Sequence, residues 1–433
     1  FRMSHPERAH QDRALQRHFP DWQVVTSPWV RHSLGYIKGL EFINKHKKEF
    51  TELDTMIQAH WESIKQPEWE YRHKVAFKNK LEAVLKAFLR RPLQLVITGS
   101  TVSGVGTANS DADICMCAPE IIWPKERDYD DEGKPSPLRP DQRRSRIGNV
   151  LKRCKRVLDE ANLGINIKFV DAMIPLLKMH GATVDEVTGN TFEMEVDLSV
   201  SNEIFISSLH NTHLIRGYAR VDARFAPLVN VVKRWSWMSG VRDPQKRRFN
   251  SYAMTLLVIH FLQCGLPRPI LPNLQGMFPG YYAIHEDCFP DRVDLEEDFP
   301  APIPVLAGEL ELGLNVAEIF YLFLSYYATL DLHNNVIRIK CGRISKREFN
   351  PPEEGDEEDD DVKKNPKTVM YNEVYIEDPI DTHNPGRTVD DWEIVRNSFL
   401  DALNVFHRVD DEQQPGFLFP DLEDLTGNSE EVR

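Results

Sequence analysis

The chain has 433 residues, a formal net charge of −14, and 41% apolar and 10% aromatic content. It is too long for one ordinary domain and apolar enough for a large core, so two or three domains are expected. No run of about 18 or more apolar residues occurs, which argues against a membrane-spanning helix. So acidic a chain is also a poor stand-alone binder of phosphate backbones, whose affinity comes from Lys and Arg displacing counterions.

Much of the charge is local: residues 353–361, "EEGDEEDDD", hold eight acids in nine positions. Such a run repels itself and is expected to be a disordered loop, about 350–366. The six cysteines (115, 117, 154, 264, 288 and 341) show neither paired metal spacing nor a disulfide framework and read as reduced and intracellular. No basic stretch leads into an apolar one at the start, so no signal peptide is expected. The first residue is Phe1 rather than Met, so a piece of a longer protein is expected.

In chain order, residues 30–63 carry helical periodicity (Leu34, Ile37, Leu40, Ile43, then Leu53, Ile57, Trp61), and 74–89 a second amphipathic helix. Residues 93–98 and 112–118 read as strands, 123–140 as a Pro-, Gly- and charge-rich loop, and 141–161 as a helix with a basic face. Residues 165–179 and 192–200 alternate as strands do. Beyond residue 203 the pattern is helical: "VVKRWSWM", "SYAMTLLVIHFLQCG" and "NVAEIFYLFLSYYATL", the second closing on Gly265 as a C-cap. No internal repeat is present.

The expected class is α+β, a small α/β domain (67–208) inserted into a mostly helical one (28–66 and 209–410). An extension (1–27) and a tail (411–433) flank them. The apolar strip "PGFLFPDLEDL" (415–425) could dock on a partner or pack on the chain itself.

The chemistry gathers in "GSTVSGVGTANSDADIC", residues 99–115. Successive strand side chains point to opposite faces, so Asp111 and Asp113 project together while Ala112 turns into the core. Two like charges about 6–7 Å apart repel unless a cation lies between them. Oxygen-only ligands of this kind suit Mg²⁺ or Mn²⁺. In "FEMEVDLSV" the polar face carries Glu195 and Asp197; Asp197, deeper among apolar neighbours, is the preferred third ligand, with Glu195 the alternative. Gly99 and Ser100 end the preceding strand, where backbone N–H groups and a hydroxyl make an anion nest. Phosphate donors on one strand end and metal ligands on the next are what nucleotidyl transfer requires.

These residues resemble the DNA polymerase β-like nucleotidyltransferases, and more narrowly the noncanonical poly(A) polymerases and terminal uridylyltransferases, above all the cytoplasmic, germline-type poly(A) polymerases. Further motifs carry the resemblance through about residues 30–410: "LHNTHLIRGYARVDARFAPLVNVVKRW", "NSYAMTLLVIHFLQ", "LFLSYYATLDL" and "IEDPIDTHNPGRTV". The resemblance implies a polymerase β-like catalytic domain within a poly(A)-polymerase central domain. It implies catalytic and metal-binding roles for Asp111, Asp113 and Asp197, with Mg²⁺ or Mn²⁺ as cofactor. Gly99 and Ser100 would hold the β- and γ-phosphates, and Asn211 and Thr212 the ribose and base edge. Lys233 and Ser251 would contact the triphosphate, Tyr252 would stack on the base, and Asp378, Asp381 and His383 would lie near it.

Two departures bear on this. Where some uridylyltransferases carry a second lysine, four positions after the first, this chain has Trp237. The segment "EDPIDTHN" is one residue shorter than the pattern in which a histidine reads uracil, which favours ATP, although His383 keeps UTP open. The implied activity is template-independent addition of AMP to an RNA 3′ end in the cytoplasm. With no recognisable RNA-binding module in the chain, an RNA-binding protein would supply target choice. A uridylyltransferase and a catalytically silent ribonucleoprotein scaffold are the rival readings.

Overall fold

The computed structural model describes residues 34–89, 93–117, 140–172, 175–185, 188–200, 207–282, 313–347, 373–380 and 383–407. They form α1 (Leu34–Lys45), α2 (Lys47–Ile64), α3 (Glu68–Leu89), β1 (Gln94–Thr98), the single turn α4 (Ser100–Ser103) and β2 (Ala112–Cys117). Then come α5 (Pro140–Glu160), β3 (Ile165–Val170), β4 (Leu176–Val184), β5 (Thr191–Val200), α6 (Ser207–Val221), α7 (Phe225–Met238) and α8 (Ser251–Cys264). The last are α9 (Val316–Thr329), β6 (Asn335–Arg338), β7 (Arg343–Lys346), β8 (Tyr375–Glu377) and α10 (Trp392–His407). The expected acidic loop, the loop 123–139, Asp381, the extension 1–27 and the tail with its strip 415–425 lie outside the described residues.

The described residues divide into an α/β unit, Ile64–Gly217, and a helical unit of 34–63, 218–282 and 313–407. The boundary falls within α6, so Asn211 and Thr212 belong with the sheet rather than with the helices, where the expected boundary at 208 placed them.

In the α/β unit, alternation along the strands builds a five-stranded sheet of order β1-β2-β5-β4-β3, parallel only between β2 and β5. Every second residue faces one core: Ala112, Ile114, Met116, Leu177, Met179, Val196 and Leu198 pack against Phe77, Leu81 and Leu85 of α3 and Leu151 and Leu158 of α5. Burying each large apolar side chain is worth about 1.5–3 kcal/mol, so a one-residue slip of register would be costly. On the opposite face only a small cluster closes the upper part, where Leu209 of α6 meets Cys115 and Cys117. Elsewhere that face carries Lys178, His180, Glu193, Glu195 and Asp197 beside a few apolar residues such as Val184.

Residues 165–179, expected as one strand, are two antiparallel ones. Pro175 has no N–H to give a ladder, and β4 starts only after it.

The helical unit is built around α8 and α9. Both are buried on nearly all sides, as helices apolar all round must be. The N-terminus of α9 is fixed by an Asn315–Glu318 capping box and by Asp54, whose Oδ1 accepts from Val316 N at 2.7 Å. Gly265 does end α8, but with φ −81 rather than a left-handed turn. Its reason is space: a Cβ there would sit 2.4 Å from Phe261 Cδ2. The sequence pattern missed a three-stranded sheet, β7-β6-β8, in which β6 pairs β7 antiparallel and β8 parallel. No described helix is long and apolar enough to cross a membrane.

Candidate active site

Strand register creates the site in the α/β unit. Asp113 of β2 lies opposite Asp197 of β5. Thr98 lies opposite Asp113 on the other side, and Lys178 opposite Asp197. Cross-strand partners share a face, so Thr98, Asp113, Asp197 and Lys178 form one polar row on the side away from the core. Asp111, two residues before Asp113, continues that face at the mouth of β2 and is exposed. Glu195 lies opposite His180 and is exposed, so Asp197 rather than Glu195 confronts Asp113.

Burial, then the Asp197 and Asp111 charges, pushes the Asp113 carboxyl up to about 6. Asp197 is also raised, first by burial; Lys178, with Nζ 3.0 Å from Asp197 Oδ2, pulls the other way without prevailing. Among the described residues no three His, Cys, Asp or Glu side chains are drawn close enough to enclose a metal ion. What the structure has is three carboxylates on one face, two of them raised by burial and by the charges of their acidic neighbours, with an ammonium already drawn to one. An all-oxygen, mutually repelling donor set fits a hard divalent cation such as Mg²⁺ or Mn²⁺.

The turn after β1 is fitted to these acids. Gly99 has φ +70, and a Cβ on it would lie 2.2 Å from Asp113 Oδ2, so only glycine lets the backbone pass so close. Gly99 N donates to Thr212 Oγ1 at 2.8 Å, and Thr212 Oγ1 donates to Ser208 O at 2.6 Å. Thr212 is buried, and its hydroxyl holds the Gly99 turn. Asn211 is half-buried beside it, and Ser100 opens α4, also half-buried.

Beside this loop lies a buried ion pair of α3. Lys74 and Glu70 are both wholly buried, Nζ to Oε1 2.8 Å. Lys74 Nζ also donates to Gln66 Oε1 at 2.8 Å and Ser110 Oγ at 3.1 Å, and Glu70 Oε2 accepts from Asn109 N at 3.0 Å. The pair thus ties α3 to residues 109 and 110, just before Asp111.

The helical unit carries a second group. Tyr252, in the first turn of α8, donates to Asp378 Oδ2 at 2.7 Å, and His383 Nδ1 lies 3.8 Å from the same oxygen. Asp378 Oδ1 accepts from Ile380 N at 2.8 Å. Asp378 is buried with both oxygens engaged, and it orients Tyr252 and His383. Asn384 stiffens the same loop, accepting from Ile376 N and Gly386 N and donating to Val374 O. Burial and the Arg242 charge lower Lys233 of α7 to about 8. Arg242, a loop residue absent from the sequence reading, donates from Nη1 to Ser251 Oγ at 2.8 Å.

Residues 53–220 match the central palm domain of the mitochondrial-like poly(A) RNA polymerases, and residues 315–384 match the Cid1 family poly A polymerase domain. The chain is 28% identical over 336 residues to Poly(A) RNA polymerase GLD2-A of Xenopus laevis, covering 75% of this chain and 55% of that protein. To Poly(A) RNA polymerase GLD2 of Homo sapiens it is 26% identical over 358 residues, covering 79% and 62%. It spans only 23% of the Drosophila melanogaster gld-2 homolog B. Among solved structures, a GLD-2/RNP-8 complex matches with TM-score 0.59 and 22% identity, covering 88% of this chain and 98% of that one. A mutant of the Cid1 poly(U) polymerase bound to MgATP matches with TM-score 0.58 and 22% identity, covering 87% and 98%.

The fold, with its acids on one sheet face beside a glycine turn, is that of a DNA polymerase β-like nucleotidyltransferase. Residues 53–220 and 315–384 are similar, in that order, to the palm domain and the associated domain of poly(A) RNA polymerases.

Proposed function

We propose that this chain is a template-independent RNA 3′-end adenylyltransferase, adding AMP from ATP. The observation that carries the reading is the register that sets Asp113 against Asp197, with Asp111 at the strand mouth and the Gly99 backbone against Asp113. A divalent cation held by Asp111, Asp113 and Asp197 would supply positive charge for the attacking oxygen and the leaving pyrophosphate.

The remaining work belongs to the chain's own residues. Asp197 orients the RNA's terminal 3′-hydroxyl and takes its proton. The hydroxyl oxygen bonds to the α-phosphorus of ATP, the bond from that phosphorus to the bridging oxygen breaks, and pyrophosphate leaves. N–H groups at the Gly99–Ser100 turn and the Ser100 hydroxyl hold phosphate oxygens. Asn211 selects the ribose 2′-hydroxyl, whose absence would leave a polar group unpaired. Tyr252, steadied by Asp378, stacks on the base, and Lys233 and Ser251 bind the triphosphate.

ATP is favoured by the short "EDPIDTHN" segment and by relatives named poly(A) RNA polymerases. UTP is the second reading, supported by His383 beside the Tyr252–Asp378 pair. The −14 charge supports target choice by an RNA-binding protein partner, and the solved GLD-2 relative is itself a complex with RNP-8. Cytoplasmic residence fits five described cysteines that form no disulfide.

Incubating the purified chain with labelled oligoadenylate, Mg²⁺ and each ribonucleotide in turn tests the reading. A ladder with ATP is expected; a ladder with UTP alone would replace the substrate, and no ladder with any nucleotide would favour the silent scaffold.

A further inference from the structure

Arg242 lies outside every motif singled out in the sequence, yet the fold delivers it to Ser251. Its backbone N–H donates to Ser236 O at 2.7 Å, and Phe249 N returns to Val241 O at 3.1 Å, so a closed loop fixes residue 242. Val241 and Phe249 anchor that loop by burial. The Arg242 side chain runs to α8 and donates from Nη1 to Ser251 Oγ. Its Nε is buried with no hydrogen-bond partner among the described residues. The neighbouring carboxylate, Asp243, is turned away: its Oδ2 is 3.0 Å from Lys246 Nζ.

Lys233 is the other cation here. Burial and then Arg242 lower it, and burial lowers Arg242. Two partly buried cations that repel each other are stabilised when an anion joins them. Because Arg242 donates to Ser251 Oγ, the serine hydroxyl hydrogen is left to point elsewhere, adding a donor. At position 237, one helical turn after Lys233, the exposed Trp237 lies under Arg234, whose Cζ is 5.8 Å from the ring centroid, and offers no charge.

We propose that Arg242, with Lys233 and Ser251, binds the terminal phosphates of the nucleotide triphosphate, Arg242 supplying from a loop the second cation that α7 lacks at Trp237. The inference rests on the nucleotidyl-transfer reading for its ligand. A planar guanidinium presents several donors to phosphate oxygens, which a lone ammonium does not.

Calorimetric titration of the full chain with inorganic tripolyphosphate in Mg²⁺ reads this without turnover. A charge-assisted hydrogen bond is worth enough that Arg242→Met should weaken tripolyphosphate by about ten- to a hundredfold. Adenosine, which has no phosphate, should bind the variant as it binds the wild type. Arg242→Lys, which keeps the charge and guards against a misfolded variant, should recover most of the loss. In RNA extension, Arg242→Met should raise KM for ATP and leave kcat within about threefold. Tripolyphosphate affinity within twofold of wild type in Arg242→Met would overturn the proposal, as would an equal loss for adenosine. If wild type extends RNA with ATP while Arg242→Met binds tripolyphosphate normally, only this inference fails. If tripolyphosphate binding depends on Arg242 but no nucleotide is added to RNA, only the adenylyltransferase reading fails.

Discussion

Asp113 stands directly opposite Asp197 across the parallel pair β2–β5, and burial together with the Asp197 and Asp111 charges raises Asp113 to about 6. The fold therefore holds carboxylates together against their repulsion, as a site built for a cation does.

That repulsion has a pH signature. An acid whose folded pKa exceeds its unfolded value keeps its proton longer when folded. Stability is then greatest below the ordinary value of 3.8, falls as pH rises toward about 6, and is reduced by the full amount above that. The shift is worth at most about 3 kcal/mol, less after solvent screening. Without metal, Asp113→Asn should melt higher than wild type at neutral pH and lose most of the slope between about 4 and 6. Mg²⁺ should raise the wild-type Tm and leave the variant nearly unmoved. Melting curves across pH, with chelator or Mg²⁺, check this; an unchanged slope in the variant would show that another group titrates.

Gly99→Ala should be inactive but folded. The new methyl would meet Asp113 Oδ2 at 2.2 Å and sit on a φ of +70, so the turn or the carboxylate must move. Displacing a reacting group by about 1 Å can cost a hundredfold in rate. Extension assays with circular dichroism alongside separate this from unfolding.

The Lys74–Glu70 pair gives a stability test. Lys74→Met leaves a buried carboxylate without its cation and should cost about 3–5 kcal/mol, whereas replacing both residues by Met and Leu should cost much less. Denaturant unfolding of the three variants measures this. The double variant should fold yet extend RNA more slowly than wild type, because the ties to residues 109 and 110 are gone.

How far the sequence reaches is clear from these groups. Period-two alternation was enough to put Asp111, Asp113 and Asp197 on polar strand faces, because one buried face dictates register. That Asp113 meets Asp197 rather than Glu195 depends on a parallel pairing between segments more than 80 residues apart, which no local pattern encodes. Lys74 and Glu70 have the i,i+4 spacing of a solvated helix pair, and only tertiary packing buries them. The resemblance gives Thr212 and Asp378 no packing role, and only the tertiary structure shows Thr212 holding the Gly99 turn and Asp378 holding Tyr252. The strands β6, β7 and β8, of three or four residues each, are too short for alternation to register.

Tyr252 separates ring from hydroxyl. Tyr252→Phe keeps the stacking face and loses the bond to Asp378, so KM for ATP should rise only a few-fold. Tyr252→Ala removes the face as well; stacking worth about 1–3 kcal/mol predicts a rise of about five- to a hundredfold or more. Steady-state kinetics with ATP check both, and equal effects would mean that the ring does not touch the base.

The most direct measurement is single-turnover extension of a labelled RNA 3′ end by Asp197→Asn in Mg²⁺ and ATP, beside wild type and a melting curve for each. The expected result is a fall of about a thousandfold or more in rate in a protein that still melts cooperatively. Extension within a few-fold of wild type would mean that Asp197, and the face it shares with Asp113, is not where the chemistry happens.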